Sequence, residues 1–581
     1  MRQLPFRRFT SFGLVAVMFG SVLGLSTGAL AGDYGNDGSP YRVRLLAKAK
    51  PDECFAGIGV SYPPGPPCAT GQAKVNQAYV WGLARVGRQV WFGTGTNINC
   101  LTSGTNLSRI EPYVNGDFVC EYGQSQVVKQ NPGLPPSVGD YRPPQVWLYD
   151  SGNGQLTEKT AEIRDRSADD AKRLRTTLGL RAGGSHNGIV LFGGPALNQT
   201  VNLFAFDSKT KRYLGSTTLS EYGNIRHMVV ADNALYLGVG IGRNGSAGGA
   251  VLRWTGTVEN PFSFVPVAQL PAQAADLTEH DGRIFISTWP AGSATTTATM
   301  AGIWMSPKLS DGAPGLNSED ATRWTQVWNA TMYEPDRVVA ATYAMGGLAS
   351  YGGYLYWGTL HVPTKATSVH TEVYPPGDEA ATKAAVRNTQ RASAVFRGRD
   401  FGDSRQKVDL LYGLPDLPAF DPTASAGAGA WSLKSTGYKP LYGRSGFDNP
   451  FNTYTWAMAV AGGKLYVGTM DWSYLLTSMA GIGGQGSNAT VTREMYNPAN
   501  ISAVDRSGFG GDLWVFEGAN HPAKPVSTSG LGNYLNYGVR NIVTDGNDLF
   551  VGMANPMNLR TDPNDGVPEG GWELISVSPR R

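Results

Sequence analysis

The 581-residue chain holds 75 Gly and 36 Pro but only 16% charged residues, while Tyr, Phe and Trp number 26, 21 and 14. That balance excludes coiled coils, mostly long helices and broad disorder, and favours many short strands joined by tight turns. The formal net charge of +3 is carried by Arg2, Arg7 and Arg8, and without them 46 basic residues face 46 acidic ones, so no basic stripe suits nucleic acid or an anionic membrane.

In chain order, those arginines precede an apolar run from Phe12 to about Leu25, and Ala29-Leu30-Ala31 follows before Gly32. A positive head, a short apolar stretch and a small-residue cleavage site read as a secretory signal peptide over residues 1–31, leaving 32–581 as the mature domain. The run is shorter than the ~20 residues of a spanning helix, and no other segment is apolar enough to span. The expected destination is the periplasm or the extracellular space. The cysteines, Cys54, Cys68, Cys100 and Cys120, cluster in the N-terminal region of the mature chain. Four cysteines permit three pairings; neighbour pairing, Cys54–Cys68 and Cys100–Cys120, is the one expected, and no C-x2–4-C spacing favours zinc.

From Val86 onward one pattern recurs: an apolar strand, a turn of Gly, Asn or Asp, then a strand ending in Gly-Thr or a relative. Its copies are Val86–Thr94, His186–Gly193, Asp232–Gly238, Asp281–Thr288, Tyr351–Thr359, Ala461–Thr469 and Asp545–Gly552. Each is a hairpin signal, and an aromatic strand follows each, such as Val146-Trp-Leu-Tyr-Asp150 or Asp512-Leu-Trp-Val-Phe516. Repeats of about four antiparallel strands predict an all-β, seven-bladed β-propeller. The hairpins resemble the blades of two-component-regulator propellers and, more loosely, kelch blades, a resemblance that implies blades and no particular activity. The last copy ends soon after Trp572–Val577, short of its outer strand, while strand-like Tyr41–Ala47 precedes the first. Pairing the two would close the ring and remove an open sheet edge.

The connection from second to third strand is long at about 95–145, 360–393 and 470–511, the last including Gly-rich Met479–Ser487. In a propeller these insertions rise around one mouth of the channel, where function concentrates. Aligned on the closing Gly, the position twelve residues earlier reads Trp81, Arg181, Arg226, Ala275, Gly346, Trp456 and Arg540. Three arginines in one layer point either to a carboxylate, sulfate or phosphate ligand or to arginines that pair with a nearby acid or cap neighbouring carbonyls between blades. Trp81 and Trp456 read as inter-blade core or as stacking surfaces. Loops leaving the second strands add Asn97, Asn198, Arg243, Trp289, His361, Asp471, Trp472 and Asn555 to the same face.

Of the six histidines, His186 and His280 fall at hairpin turns and are expected in solvent. His227, beside Arg226, is a structural histidine or a general base. Asp562-Pro-Asn-Asp-Gly566 reads as an Asx/Gly turn, the alternative being a calcium loop. No catalytic motif is present and no cofactor is indicated. The functional expectation is an exported propeller binding a glycan, an anionic small molecule or a protein partner on its insertion-bearing face. The alternative is a polysaccharide lyase using Arg226, Arg540 and His227, or a glycoside hydrolase using Asp276 and Asp471.

Overall fold

The computed structural model describes residues 39–580, apart from 59–60, 63, 65–66, 107–109, 293–297, 310–314 and 476–507. The proposed signal peptide and Met479–Ser487 fall outside the described residues. The hairpin repeats fold into successive four-stranded antiparallel arrays. The first comprises Gln77–Val86, Gln89–Thr96, Val146–Asp150 and Gln155–Glu158. The second runs Ala182–His186, Ile189–Pro195, Val201–Asp207 and Tyr213–Leu219. Tyr222–Ala231, Ala234–Ile241, Gly249–Trp254 and Phe264–Leu270 make the third. The fourth is Gln273–His280, Arg283–Trp289, Gly302–Met305 and Thr325–Asn329. Ala344–Tyr351, Tyr354–Leu360, Val395–Arg399 and Lys407–Tyr412 form the fifth. The sixth holds Asn452–Ala461, Lys464–Asp471, Leu513–Phe516 and Lys524–Ser527.

The last array joins Gly538–Asp545, Asp548–Ala554 and Glu573–Pro579. Its outer strand is Tyr41–Lys48, antiparallel to Glu573–Pro579, with Tyr41 opposite Pro579 and Lys48 opposite Glu573. The innermost strand of each array packs on that of the next, and Gly538–Asp545 packs back on Gln77–Val86. Four-stranded antiparallel arrays stacked in this way are the organisation of a β-propeller.

The repeated residues account for this packing. Turn pairs such as Asn187–Gly188, Asp281–Gly282 and Gly462–Gly463 have positive φ, as a two-residue hairpin turn requires. The closing Gly lies where the next array's innermost strand approaches: a Cβ on Gly552 would stand 2.5 Å from Val80 Cγ1. Ser287 takes that place in the fourth array, and its hydroxyl donates to the Gly346 carbonyl of the fifth at 2.9 Å. The Thr that follows has a separate task. Thr94, Thr288, Thr359 and Thr469 each accept, through Oγ1, the backbone N–H that leads into their third strand, at 2.8–2.9 Å.

Trp91, Trp328, Trp357 and Trp572 are fully buried, so the aromatic excess is spent between the arrays. Two of the long insertions carry structure of their own: helix Ile98–Asn106 with the small hairpin Tyr113–Val114/Val119–Cys120, and helices Lys365–Val373 and Glu379–Thr389. Cys54–Cys68 and Cys100–Cys120 are disulfide-bonded. Among the described residues no helix is long and apolar enough to cross a membrane.

One expectation fails. His280 is buried rather than solvated, because its ring meets Phe285 and Phe401 edge-on and shares a 2.9 Å hydrogen bond with Ser350.

Candidate anion-binding cavity

Nearly every innermost strand carries a β-bulge at the same level. The register slips between Val80 and Gly82, Ile225 and His227, Thr455 and Ala457, and Val539 and Asn541. Trp81, Arg226, Trp456 and Arg540 are therefore the extra, unpaired residues. A wider slip skips Ala275-Asp276 and Gly346-Gly347, and Arg181 stands just before its strand begins. A bulge re-aims the side chain it carries. The column read from the sequence is this bulge layer.

The layer borders a cavity of about 750 Å³, within the size range of small-molecule sites. Trp81, Arg181, Arg226 and Trp456 line it, whereas Arg540, expected beside them, stands in the layer without lining the cavity. Tyr79, Tyr454 and Tyr537, two or three residues ahead of bulge positions, also line it. Trp289 enters from the end of a second strand, and Arg243 and Trp472 from the loops just beyond such ends. All three long insertions contribute wall: Ile98, Leu101, Tyr113 and Phe118 from the first, Val362 from the fifth array's, and Trp472 and Leu475 from the sixth's. Cys100–Cys120 ties the helix of the first insertion to its hairpin.

The three arginines have no carboxylate partner within ion-pair distance among the described residues; ring faces and amides hold them instead. The Arg226 guanidinium lies 3.4 Å from the Trp289 ring centre, and its Nε donates to Gln273 Oε1 at 2.8 Å. Arg181 sits 5.2 Å from Trp81 and 5.9 Å from Trp289, and its Nη1 donates to Asn224 Oδ1 at 3.3 Å. Arg540 lies 5.4 Å from Trp456 and donates to Asn541 Oδ1 at 3.2 Å. Cation–π contacts of this kind recover part of the desolvation cost.

The electrostatics remain unbalanced. Burial pushes all three guanidinium groups below their ordinary value; the Arg540 charge adds to this at Arg181, and both other arginines add to it at Arg226. Only at Arg540 does a carboxylate, Asp276, act in the opposite sense. Hydrogen bonding is unbalanced in the same direction. Arg181 Nε, Arg540 Nε, Gln273 Nε2 and Trp472 Nε1 are buried donors without an acceptor among the described residues. Surplus buried donors and uncompensated positive charge both favour an acceptor-rich anion.

Other sequence candidates lie elsewhere. Asp471 is fully buried, its carboxylate accepting from Asn449 Nδ2 and the Ser473 N–H at 2.7 Å each. Burial pushes it up to about 6. Asn97 and Asn555 are likewise buried and bonded to neighbouring asparagines, and Asn198 is exposed outside the cavity. Thr359 Oγ1 holds His361 at 2.8 Å, and burial depresses its imidazole to about 3. His227 Nδ1 lies 3.2 Å from Asp276 Oδ1. Asp276 in turn accepts the Leu348 N–H at 2.8 Å, so it is tied to the fifth array. Asp562 and Asp565 accept backbone N–H groups two residues on, as Asx turns do.

Sequence reasoning missed Tyr79, Tyr454, Asn224 and Gln273. Their signal was present two residues ahead of the bulge column, which reads Tyr79, Asn224, Gln273 and Tyr454 in four of the arrays. Asn224 and Gln273 each hold the arginine of the preceding array.

No protein-family model matches the chain, and no curated relative matches it. The β-propeller domain of the Trilobed protease from Pyrococcus furiosus is 9% identical with a TM-score of 0.32, over 83% of this chain and 91% of that one. Hydrazine synthase from Kuenenia stuttgartiensis is 9% identical with a TM-score of 0.38, over 82% and 94%. An ancestral GH74 enzyme is 10% identical with a TM-score of 0.38, over 93% of this chain and 54% of that one.

Proposed function

We propose that the protein is an exported, seven-bladed β-propeller, closed by its N-terminal strand, that binds an anionic small molecule in the bulge-layer cavity. The closure rests on the pairing of Tyr41–Lys48 with Glu573–Pro579 and on the return of the innermost strands to the first array. Export rests on the signal-peptide pattern and is supported by the two disulfides.

The observation that carries the binding reading is the set of three buried arginines held by rings and amides instead of acids. A carboxylate, sulfate or phosphate head group would meet donors of the lining residues Arg181, Arg226 and Trp472 and offset the repulsion among the arginines. In the bracing alternative each arginine holds neighbouring arrays together; it lacks acids within ion-pair distance among the described residues, and its remaining support is the amide oxygens of Asn224 and Gln273 in the next array. The hydrolase assignment is weakened in the same way, since Asp471 is sealed off and Asp276 braces backbone. For the lyase assignment, His227 retains an acidic neighbour in Asp276 but does not line the cavity.

The test is calorimetric titration with a panel of carboxylated, sulfated and phosphorylated compounds against wild type, Arg226→Ala and Arg540→Ala, with melting temperatures alongside. Binding is expected to weaken by about 1–3 kcal/mol, the range of a lost charge-assisted hydrogen bond, at unchanged or higher melting temperature. Lower stability with unaltered binding would refute the anion site.

A further inference from the structure

The cavity states more than the charge of its ligand. Around the arginines the wall is aromatic and aliphatic: Leu101, Leu178 and Leu197, all only partly buried, share it with Trp289, Trp456 and Trp472. A sugar needs planar polar groups along its whole length to satisfy its hydroxyls. Here Asn244, a lining amide, already accepts from Asn224, and Glu111 is the one carboxylate on the wall among the described residues. Polar groups also line the wall away from the arginine layer, among them Asn99, Thr102, Ser103 and Arg243, but apolar surface outweighs polar surface over the cavity as a whole.

Resting on the anion reading above, we infer that the ligand is an amphipathic acid: one anionic head group on Arg181 and Arg226, and an apolar body along the leucine and tryptophan wall. Two features fit a single shared head. Both guanidinium groups flank the same Trp289 ring, at 5.9 and 3.4 Å. A bridging head also relieves their mutual repulsion once, whereas a polyanion would need a series of cations along the wall, where Arg243 is the one further cation among the described lining residues. A half-buried leucine gains from covering by an acyl chain or an aromatic ring, since each CH2 withdrawn from water contributes about 0.8 kcal/mol.

The experiment titrates purified full-length protein with dodecanoate, its neutral counterpart 1-dodecanol, and trigalacturonate, following intrinsic tryptophan fluorescence and confirming by calorimetry. Dodecanoate is expected to bind saturably and at least about tenfold more tightly than either of the others, tenfold being 1.4 kcal/mol. Leu101→Asn and Leu178→Asn are expected to weaken dodecanoate binding about tenfold with the melting temperature retained, because both positions are already partly open. Arg226→Ala should reduce the preference for dodecanoate over dodecanol. Trigalacturonate binding as tightly as dodecanoate, or no dodecanoate binding at millimolar concentration, overturns the amphipathic class and leaves the anion site standing. Equal binding of dodecanoate and dodecanol, unchanged by Arg226→Ala, overturns the anion site itself.

Discussion

Two sets of buried cations in this protein are treated in opposite ways. Lys74 is fully buried, with Glu121 at 2.7 Å and Asp140 as a second partner, and Arg142 beside it pairs with Glu53. Arg391 meets Glu334 through two parallel bonds of 2.7 and 3.0 Å, with the Tyr343 hydroxyl on the same carboxylate. Burial would lower all three groups, but Asp140 and Glu121 at Lys74, and Glu53 and Glu334 at the arginines, outweigh it and raise them. In the bulge layer the balance runs the other way: Arg181, Arg226 and Arg540 are lowered, and indole faces stand where carboxylates would. Where a cation serves the fold, acids seal it; where it borders the cavity, its donors stay open.

The largest test of this contrast removes a sealing acid. Glu334→Gln leaves Arg391 buried without its counter-charge and is expected to cost about 3–5 kcal/mol in urea unfolding, with ligand affinity of the folded protein retained. A neutral outcome would erase the distinction between the two sets.

Covalent support comes next. Replacing Cys100 and Cys120 by Ser opens a 20-residue loop and should cost about 2–4 kcal/mol. Unlike Glu334→Gln it should also weaken binding, because the freed segment is cavity wall. Peptide mapping without reduction should recover both linked pairs from the purified protein.

A third test concerns buried acids without cations. Burial, with the neighbouring Asp471 charge, pushes Asp512 up to about 7, and Asp471 itself stands at about 6. Raised folded values mean that the folded state holds these protons more tightly, so their destabilising effect is absent below the unfolded value of 3.8 and grows as pH rises through 6 and 7. Asp512 Oδ2 accepts from Asn452 and Trp514 while Oδ1 has no partner among the described residues, so an uncharged amide of the same shape can keep the Oδ2 bonds. Asp512→Asn should therefore match wild type near pH 4 and exceed it by on the order of 2 kcal/mol at pH 8. Melting curves across that range are the check, and a pH-independent difference would contradict it.

The smallest effect sharpens the role of the guanidinium. Arg226→Lys keeps the charge but loses the planar fork lying on Trp289, so anion binding should weaken by about 1 kcal/mol with stability unchanged. Equal affinity would mean that charge alone matters in the layer.

Much of this architecture was legible in the residues. The hairpin turns, the closing Gly and the Thr after it recur because each array meets its neighbour in the same way, so one local rule repeats along the chain. The arginine column was legible for the same reason: a bulge at a constant distance from the closing Gly places one residue per array at the same level. The loops obey no such period. Trp289, Trp472 and Arg243 reach the cavity, while Asn97, His361, Asp471 and Asn555 leave equivalent strand ends and turn inward to satisfy buried backbone and side-chain groups. No spacing distinguishes those two sets.

The sequence by itself determined the strand repeat, its turn chemistry and the position of the arginines, because each depends on short-range spacing, while it left three cysteine pairings open and the fold decided between them. Only the tertiary structure decided that those arginines face tryptophan rings without acids, and that helix Ile98–Asn106 closes the wall beside them. Whether a buried cation finds a carboxylate depends on groups tens of residues away in the chain, 47 for Lys74 and Glu121 and 57 for Arg391 and Glu334, brought together only when the chain folds.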